Sequence, residues 1–297
     1  AQRLRGASLV PIEERDSEAD GATKWVFEAS NGERIETVLL RIASGRRALC
    51  VSIQSHCPVG CRFCSSGFSG KPRPLQLSDV LGQVLYARQH LQREGTELRN
   101  LVFMGMGEPL LEESLLHRAL DALLDDRGFA FSPSRITVST VGLPDEMRRL
   151  SDAFPKVHQA LSLHSAEQAV RERLIPMAQR HPVEELKRTV STIGERTGAM
   201  VLIEYLMLAG VNDTPRAERA LSSWLEGLRV KLNLIPYNPP GGNGELGTVD
   251  TSLQGTVRAD RERFAQRMRD RGIPTTLRYS LGSEIAAACG QLAVRPR

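Results

Sequence analysis

The stretch Cys57-Pro58-Val59-Gly60-Cys61-Arg62-Phe63-Cys64 places three thiols within eight residues, in the spacing C-x3-C-x2-C. A structural zinc site usually takes four ligands, and a closed [4Fe-4S] cluster also needs a fourth thiolate. Three thiolates leave one iron of such a cluster open to a substrate or cosubstrate. We therefore predict that Cys57, Cys61 and Cys64 hold a [4Fe-4S] cluster. The alternative is that the three are unrelated cysteines of the core, and their spacing alone does not exclude it.

The composition is that of an ordinary soluble globular protein, with 41% hydrophobic and 25% charged residues in a chain of 297. No apolar run of about 18 residues occurs, so we expect no transmembrane helix and no membrane partner. The N-terminus lacks the apolar stretch of a secretory signal. The five cysteines are an odd number and mostly clustered, unlike a secreted disulfide scaffold. We expect a cytoplasmic protein, because exposed cluster thiolates oxidise readily.

The charge balance is mildly basic, with a formal net charge of +4. Most of the 39 basic residues are arginines, and arginine can grip phosphate through two hydrogen bonds, as RNA binding requires. The 35 acidic residues are interspersed among them, so charge alone does not decide whether RNA is a partner.

The hydrophobic pattern predicts a β-rich N-terminal extension over residues 1–47, followed by an α/β domain over residues 48–297. In the extension, the strand-like runs Lys24–Ala29 and Arg34–Leu40 flank Ser30-Asn31-Gly32, a good hairpin turn. Beyond it, apolar strands alternate with amphipathic helical stretches, which indicates parallel strands with helical crossovers. The strand candidates are Ala48–Gln54, Leu101–Gly105, Arg135–Thr140, Gln159–Leu163, Val201–Leu208, Lys231–Tyr237 and a late one at Pro274–Tyr279. The helical candidates are 78–94, 112–125, 144–152, 183–197 and 215–227.

This alternation favours a partial (β/α)6-type barrel over a complete eight-stranded one. The three cysteines follow its first strand, and most other motifs follow later strands, at the rim where chemistry collects in α/β barrels. The Pro/Gly-rich run Pro239–Gly244 is expected to form a mobile loop at that rim.

The second motif, Met104-Gly105-Met106-Gly107-Glu108-Pro109-Leu110, follows the next strand. Its glycines let the backbone approach a ligand closely, and Glu108 can accept a hydrogen bond from an ammonium group. The alternative is a plain turn between a strand and a helix.

Taken together, the cysteine spacing and Gly107-Glu108 resemble the signature of the radical S-adenosylmethionine (SAM) superfamily. Further motifs narrow the resemblance to the RlmN/Cfr family, which are radical SAM methyltransferases (class A) acting on adenine carbons in RNA. It runs from about residue 21 to 294. The motifs that carry it are Leu49–Ser52, Met104–Leu110, Thr137–Gly142, Leu161–His164, Asn233–Pro239 and Ala286–Leu292.

The resemblance implies a [4Fe-4S] cluster, whose open iron is chelated by the amino and carboxylate groups of SAM, and two SAM molecules per turnover. It implies that the SAM site is lined by Gly107, Glu108, Ser139, Ser162, Leu163, His164 and Asn238. It also implies a flavodoxin-type electron donor, and we expect a monomer.

For catalysis, the resemblance implies that Cys289 takes a methyl group from one SAM. A radical made from a second SAM then abstracts hydrogen from that methyl group, and the carbon radical adds to the substrate as a protein–substrate crosslink. Cys50 resolves the crosslink through a disulfide with Cys289, and Glu36 transfers a proton. An electron-poor ring carbon cannot attack a sulfonium methyl directly, which is why the family uses a radical route.

Simpler interpretations of these residues stay open. His164 at a strand end could be a structural histidine, and Ser139 could only close its strand. By default Cys289 would be a small buried apolar residue. Glu36 could be a carboxylate facing solvent.

The substrate prediction is RNA adenine, at C2 or C8, in ribosomal or transfer RNA. Family members carry a helical domain ahead of the β-rich extension, and here only about twenty residues precede the match. RNA would then be bound with a partner or a reduced footprint. The alternatives are a small-molecule or peptide heteroaromatic substrate for the same chemistry, and a non-catalytic paralogue that binds SAM or RNA.

Overall fold

The computed structural model describes residues 9–67, 73–239 and 249–293. Contacts divide the chain into two units. The first unit comprises Ala1–Pro58, Ser65–Ile136 and Leu281–Arg297, and the second unit comprises Val59–Cys64 and Thr137–Ser280. Pro240–Gly244, most of the loop expected after Pro239, lies outside the described residues.

The first unit contains a run of antiparallel strands that ends in a parallel pair. Its strands are β1 (Val10–Asp16), β2 (Thr23–Glu28), β3 (Arg34–Arg41), β4 (Arg47–Cys50) and β5 (Asn100–Phe103). Neighbours from β1 to β4 pair antiparallel, and β4 pairs with β5 in parallel. Gly32, at φ +78°, donates its N–H to the Ala29 carbonyl at 2.9 Å. The predicted hairpin and its two strands are confirmed.

Strand β1 was not predicted, and its exposure explains why. All seven of its residues are exposed. The run Glu13-Glu14-Arg15 also breaks any alternation of apolar and polar residues. A strand at a sheet edge is held by backbone hydrogen bonds on one side and needs no buried face. Pattern analysis therefore has no signal to detect here.

The helices of the first unit pack through a regular apolar stripe. They are α1 (Leu77–Arg93) and α2 (Glu113–Leu124), close to the predicted bounds. In α1, Val80, Val84, Ala87 and Leu91 are fully buried. Their spacing of three and four residues puts them on one face of the helix.

The first unit also contains residues 281–293, here called the C-terminal segment. It is irregular apart from a 3-10 turn at Ser283–Ile285. Ala287 and Leu292 of this segment pack in one apolar cluster with Val38, Cys50 and Met106. Residues near both ends of the chain thus share one core.

The second unit is built from parallel strands joined by helices, as predicted. The strands are β6 (Ile136–Thr140), β7 (His158–Ser162), β8 (Val201–Met207), β9 (Val230–Pro236) and β10 (Thr275–Leu277), with parallel pairing from β6 through to β10. The helices are α3 (Pro144–Ala153), α4 (Gln168–Leu174), α5 (Val183–Thr197), α6 (Pro215–Leu225) and α7 (Arg258–Asp270).

Helices α4 and α7 were not predicted. Helix α4 is only seven residues long, and α7 buries only Phe264, Ala265 and Met268 among many charged residues. Neither shows the wide apolar stripe by which the other helices were found.

In the described part of the chain, no helix is both long and apolar enough to cross a bilayer.

Candidate functional site

The cysteine stretch is shaped by backbone hydrogen bonds on both sides. In the first unit, the Cys57 N–H donates to the Ser66 carbonyl at 2.8 Å, and the Ser65 N–H donates to the Gly290 carbonyl at 2.8 Å. In the second unit, the Cys64 N–H donates to the Cys61 carbonyl at 3.1 Å. These bonds fold the stretch into tight turns that can present several thiols.

The thiols of the three cysteines are the kind of ligand that an iron–sulfur cluster takes. Cys61 is buried, and Cys57 and Cys64 are half-buried. Thiolates are the ligands that such clusters take, and partial burial protects them from oxidation. Within residues 9–67, 73–239 and 249–293, no three His, Cys, Asp or Glu side chains are grouped so that they could hold a metal ion. The assignment of the three cysteines to a cluster therefore stays a prediction.

The turn after β5 packs closely on the residues that precede the cysteines. A Cβ on Gly105 would lie 2.5 Å from Ser52 Oγ and 2.7 Å from the Val51 carbonyl oxygen. Gly107 has φ +106°, and the next residue, Glu108, donates its N–H to Gln54 Oε1 at 2.9 Å. Only glycine fits the approach at residue 105. The glycines thus allow the backbone to approach residues 51–54 closely. The predicted close approach to a ligand stays a prediction.

Glu108 begins the 3-10 turn Pro109–Glu112. Its carboxylate accepts the Leu110 N–H at 3.2 Å, and the side chain is 3% exposed. The structure thus gives Glu108 a capping role. The predicted bond from Glu108 to the ammonium group of SAM stays a prediction.

In the second unit, two of the predicted SAM residues lie side by side. Ser139 Oγ on β6 and Ser162 Oγ on β7 are 3.5 Å apart, and both residues are partly exposed. The next residue, Leu163, is fully buried and its N–H donates to the Glu204 carbonyl at 3.1 Å. The part of Leu163 in lining the SAM site stays a prediction.

A row of polar side chains extends from Ser162 across the neighbouring strands β8 and β9. Sequence analysis missed this row. Ser162 is paired in register with Glu204, and Glu204 with Asn233. Asn233 Nδ2 donates to Glu204 Oε1 at 2.9 Å, while Glu204 Oε2 has no hydrogen-bond partner among the described residues. Burial raises the pKa of Glu204, against the opposing effects of Arg278 and Asn233. The single carboxylate Glu204 inside an otherwise apolar strand, between Ile203 and Tyr205, was the available signal.

His164 has a structural role, as the simpler interpretation proposed. Its Nδ1 accepts the Leu206 N–H at 3.0 Å, and its carbonyl accepts Asn212 Nδ2 at 2.7 Å. The ring meets Phe63 edge-on, with ring centres 4.9 Å apart. These contacts tie the end of β7 to β8. The backbone of His164 has a positive φ of +56° there. They are compatible with a further part in lining the SAM site, which stays a prediction.

We expect the free energy of unfolding to fall as the pH drops below about 6.5, because of His164. Burial, and to a lesser degree the charge of Arg171, lower the pKa of His164 to about 3. The unfolded chain binds a proton near the ordinary pKa, whereas the folded chain does not. The stabilising contribution is complete above that ordinary pKa and is lost as the pH falls toward 3, with a slope of up to about 1.4 kcal/mol per pH unit.

Urea unfolding at several pH values between roughly 5 and 7.5 measures this slope. The control is His164→Asn, which does not titrate and tolerates a positive φ. The wild-type curve should fall more steeply toward low pH than that of the variant. Parallel curves would contradict the assignment to His164.

Arg171 on α4 is a further residue that sequence analysis missed. It is fully buried, and its Nε donates to the Leu163 carbonyl at 3.1 Å. Its Nη2 donates to the Val141 carbonyl and, at 3.4 Å, to the Ser162 carbonyl. Burial lowers the pKa of Arg171 to about 10, and negative charge on Cys61 acts in the opposite direction. Arg171 therefore stays cationic and joins the ends of β6 and β7.

Asn238 follows β9 and is 7% exposed. Its Oδ1 accepts Ser280 Oγ at 2.5 Å, and its Nδ2 donates to the Pro236 carbonyl at 3.4 Å. The side chain is thus held in place, and its part in the SAM site stays a prediction.

In the first unit, Glu36 is buried beside a lysine. It is 4% exposed, so the interpretation as a solvent-facing carboxylate is wrong. Its Oε1 accepts Lys24 Nζ at 3.2 Å, and its Oε2 accepts the Ala293 N–H at 3.1 Å. Burial raises the pKa of Glu36, and Lys24 is the largest opposing effect. A carboxylate with a raised pKa suits proton transfer near neutral pH.

Cys50 and Cys289 belong to the same unit. Cys50 ends β4 and is buried in the apolar cluster that Ala287 and Leu292 share, whereas Cys289 is exposed. The interpretation of Cys289 as a buried apolar residue is therefore wrong. No disulfide joins the two cysteines in the part of the chain that the structure describes. The predicted disulfide would form during turnover, and it stays a prediction.

Comparison with known proteins agrees with these motifs. Residues 51–220, more than half of the chain, match the model of the radical SAM superfamily. A protein of Rhodopirellula baltica named a probable RNA methyltransferase is 44% identical over 294 residues, 98% of this chain and 75% of the relative. A protein of Anaeromyxobacter dehalogenans named dual-specificity RNA methyltransferase RlmN is 39% identical over 98% of this chain and 78% of the relative.

A solved structure gives the same result. The radical SAM methyltransferase from Sphaerobacter thermophilus superposes with a TM-score of 0.91 at 37% identity, over 98% of this chain and 82% of that one. This likeness confirms the predicted α/β fold of the radical SAM kind. The chain belongs to the RlmN-type family of radical SAM methyltransferases.

Proposed function

We propose that this chain methylates an aromatic carbon of RNA, at C2 or C8 of an adenine in ribosomal or transfer RNA. The relatives named above as RNA methyltransferases match nearly its whole length. The observation that carries the proposal is the grouping of three predicted catalytic residues in the first unit. Glu36 bonds to the C-terminal segment that bears Cys289, and Cys50 packs in one cluster with that segment.

Cys57, Cys61 and Cys64 would hold the [4Fe-4S] cluster, and membership of the radical SAM superfamily implies SAM as its partner. When bound, the cluster supplies the electron that cleaves SAM reductively. The residues Gly107, Glu108, Ser139, Ser162, Leu163, His164 and Asn238 would bind and orient SAM. The remaining steps are carried out by Cys289, Cys50 and Glu36.

Cys289 acts as the methyl carrier. Its thiolate attacks the methyl carbon of one SAM, which leaves as S-adenosylhomocysteine. After a radical derived from a second SAM removes one hydrogen from the S-methyl group, the resulting carbon radical bonds to the ring carbon. This step joins protein and substrate through a thioether.

Cys50 and Glu36 complete the reaction. The adduct radical gives up one electron, which the oxidised cluster would accept, and Glu36 removes the proton from the ring carbon, so aromaticity returns. The Cys50 thiolate then attacks the sulfur of Cys289, so a disulfide forms, the carbon–sulfur bond to the methylene breaks, and the methylene carbon takes up a proton to become a methyl group. The disulfide must be reduced before the next turnover.

The test is a labelling experiment on anaerobically reconstituted protein with CD3-labelled SAM and a flavodoxin-type reducing system. Total cellular RNA and a small-molecule extract serve as separate substrate pools, and a reaction without reductant is the control. Label in a digested methyladenosine, only when reductant is present, is the expected result. Label confined to the small-molecule pool would replace RNA as substrate, and no label in protein or either pool would reject the proposal.

A further inference from the structure

The ammonium group of Lys24 lies at the centre of a buried set of bonds in the first unit. Lys24 is on β2 and is 5% exposed. Its Nζ donates to Glu36 Oε1 at 3.2 Å and to the Ala286 carbonyl at 3.1 Å. The first bond joins two neighbouring strands, and the second joins the sheet to the C-terminal segment.

Glu36 makes a second attachment to the same segment. Its Oε2 accepts the Ala293 N–H at 3.1 Å. The attachment points, Ala286 and Ala293, lie on either side of Cys289 in the sequence. The ion pair therefore holds the segment before and after the cysteine, while the cysteine itself stays exposed.

Two more residues of the first unit, one through its backbone and one through its side chain, fix the backbone between these points. The Ser65 N–H donates to the Gly290 carbonyl at 2.8 Å, and Ser66 Oγ donates to the Leu292 carbonyl at 2.7 Å. These bonds restrain the part of the segment after Cys289. Before Cys289, the Lys24 bond to the Ala286 carbonyl attaches the segment to the sheet.

Stability alone is a weak reason to bury this pair. Taking both charges out of water costs about as much as their attraction returns, so apolar residues of similar size would often be as stable. A buried ion pair can instead fix one arrangement of the groups that it bonds. Here those groups are a predicted proton acceptor and the backbone on both sides of a predicted methyl carrier.

We propose that Lys24 is a positioning residue, which holds the carboxylate of Glu36 and the segment bearing Cys289 in one fixed arrangement. This inference rests on the proposed function for the roles of Glu36 and Cys289. The arrangement itself does not depend on that function. Lys24 contacts neither substrate nor SAM in this role and acts only through the groups that it bonds.

The test compares Lys24→Met with Lys187→Met. Lys187 also donates to a backbone carbonyl, that of Ser223 at 2.9 Å, but lies in the second unit. Hydrogen exchange of peptides covering residues 281–293 should be at least about tenfold faster in Lys24→Met, with peptides covering β8 and β9 unchanged. Lys187→Met should leave exchange in residues 281–293 as in the wild type. Unchanged exchange in Lys24→Met would overturn the proposal.

A double variant, Lys24→Met with Glu36→Gln, separates positioning from the cost of an unpaired buried charge. It leaves no charge in the pair, so fast exchange of residues 281–293 that persists supports direct attachment by Lys24. Full recovery of slow exchange would show that Lys24 only neutralises Glu36, and would overturn the proposal.

Turnover gives a second readout. In Lys24→Met, kcat for methyl transfer to RNA should fall at least about tenfold with KM for RNA unchanged, because the groups that Lys24 positions act in the chemical step. An equal rise in KM with kcat unchanged would count against positioning. If wild-type protein formed no S-methylcysteine at residue 289 and labelled no RNA, the proposed function would fail, while the exchange result would still decide the role of Lys24.

Discussion

Cys289→Ala is expected to reduce methyl transfer to the substrate by on the order of a thousandfold or more, because no other group can carry the methyl. The side chain is exposed, so its loss should change the free energy of unfolding by only about 0.5 kcal/mol or less. Iron content and reductive cleavage of SAM should stay close to wild type. Transfer of the labelled methyl group is measured by mass spectrometry of digested RNA, where the mechanism predicts CHD2, because one deuterium is abstracted and later replaced by a proton.

The matched control is Cys50→Ala, which keeps the methyl carrier and removes the resolving thiol. This variant should accumulate a covalent protein–RNA adduct at Cys289, visible as a shifted band that ribonuclease treatment removes. Cys289→Ala should give no such band. Full methyl transfer by Cys289→Ala would exclude the crosslink mechanism, and two inactive variants without any adduct would exclude the role of Cys50.

Arg171→Met is expected to lower the free energy of unfolding by about 3–5 kcal/mol, the largest stability effect that we predict. The guanidinium group is fully buried and bonds the carbonyls of Val141, Ser162 and Leu163. Methionine fills similar volume but removes the guanidinium donor from these carbonyls, and each hydrogen bond to a charged group contributes about 1.5–3 kcal/mol.

The change should also weaken SAM binding, because Arg171 joins the ends of the strands that carry Ser139 and Ser162. Chemical denaturation and equilibrium dialysis with SAM measure the two effects. The control is Arg173→Met, an exposed arginine two residues along α4, which should change stability by about 0.5 kcal/mol or less. Similar values for the two variants would contradict the role assigned to Arg171.

The sequence predicted the parts of the fold that repeat a local pattern. The alternation of apolar strands and amphipathic helices predicted the parallel strands of the second unit, and the turn Ser30-Asn31-Gly32 predicted the hairpin. The cysteine spacing and Gly107-Glu108 indicated the superfamily. Local pattern was sufficient there because spacing along the chain alone determines each of these features.

Residues that act through distant partners could not be predicted in this way. In the sequence, Arg171 is one of several charged residues in a short helix, and only the folded chain shows that it is buried. Lys24 offered a better signal, since it directly precedes the apolar run Trp25–Phe27 and lies across a hairpin from Glu36. Charged residues on neighbouring antiparallel strands can pair diagonally. The attachment to Ala286 has no counterpart in local sequence.

That attachment has a consequence for how the protein is made. Lys24 and Ala286 are separated by 262 residues. Strands β2 and β3 are neighbours in sequence and can pair early, whereas contacts of long range form late in folding. The C-terminal segment follows nearly all of the other elements, so a chain under synthesis passes through an interval in which the sheet exists without it. Of the three residues proposed to carry the methyl transfer, Cys289 is then placed after Glu36 and Cys50.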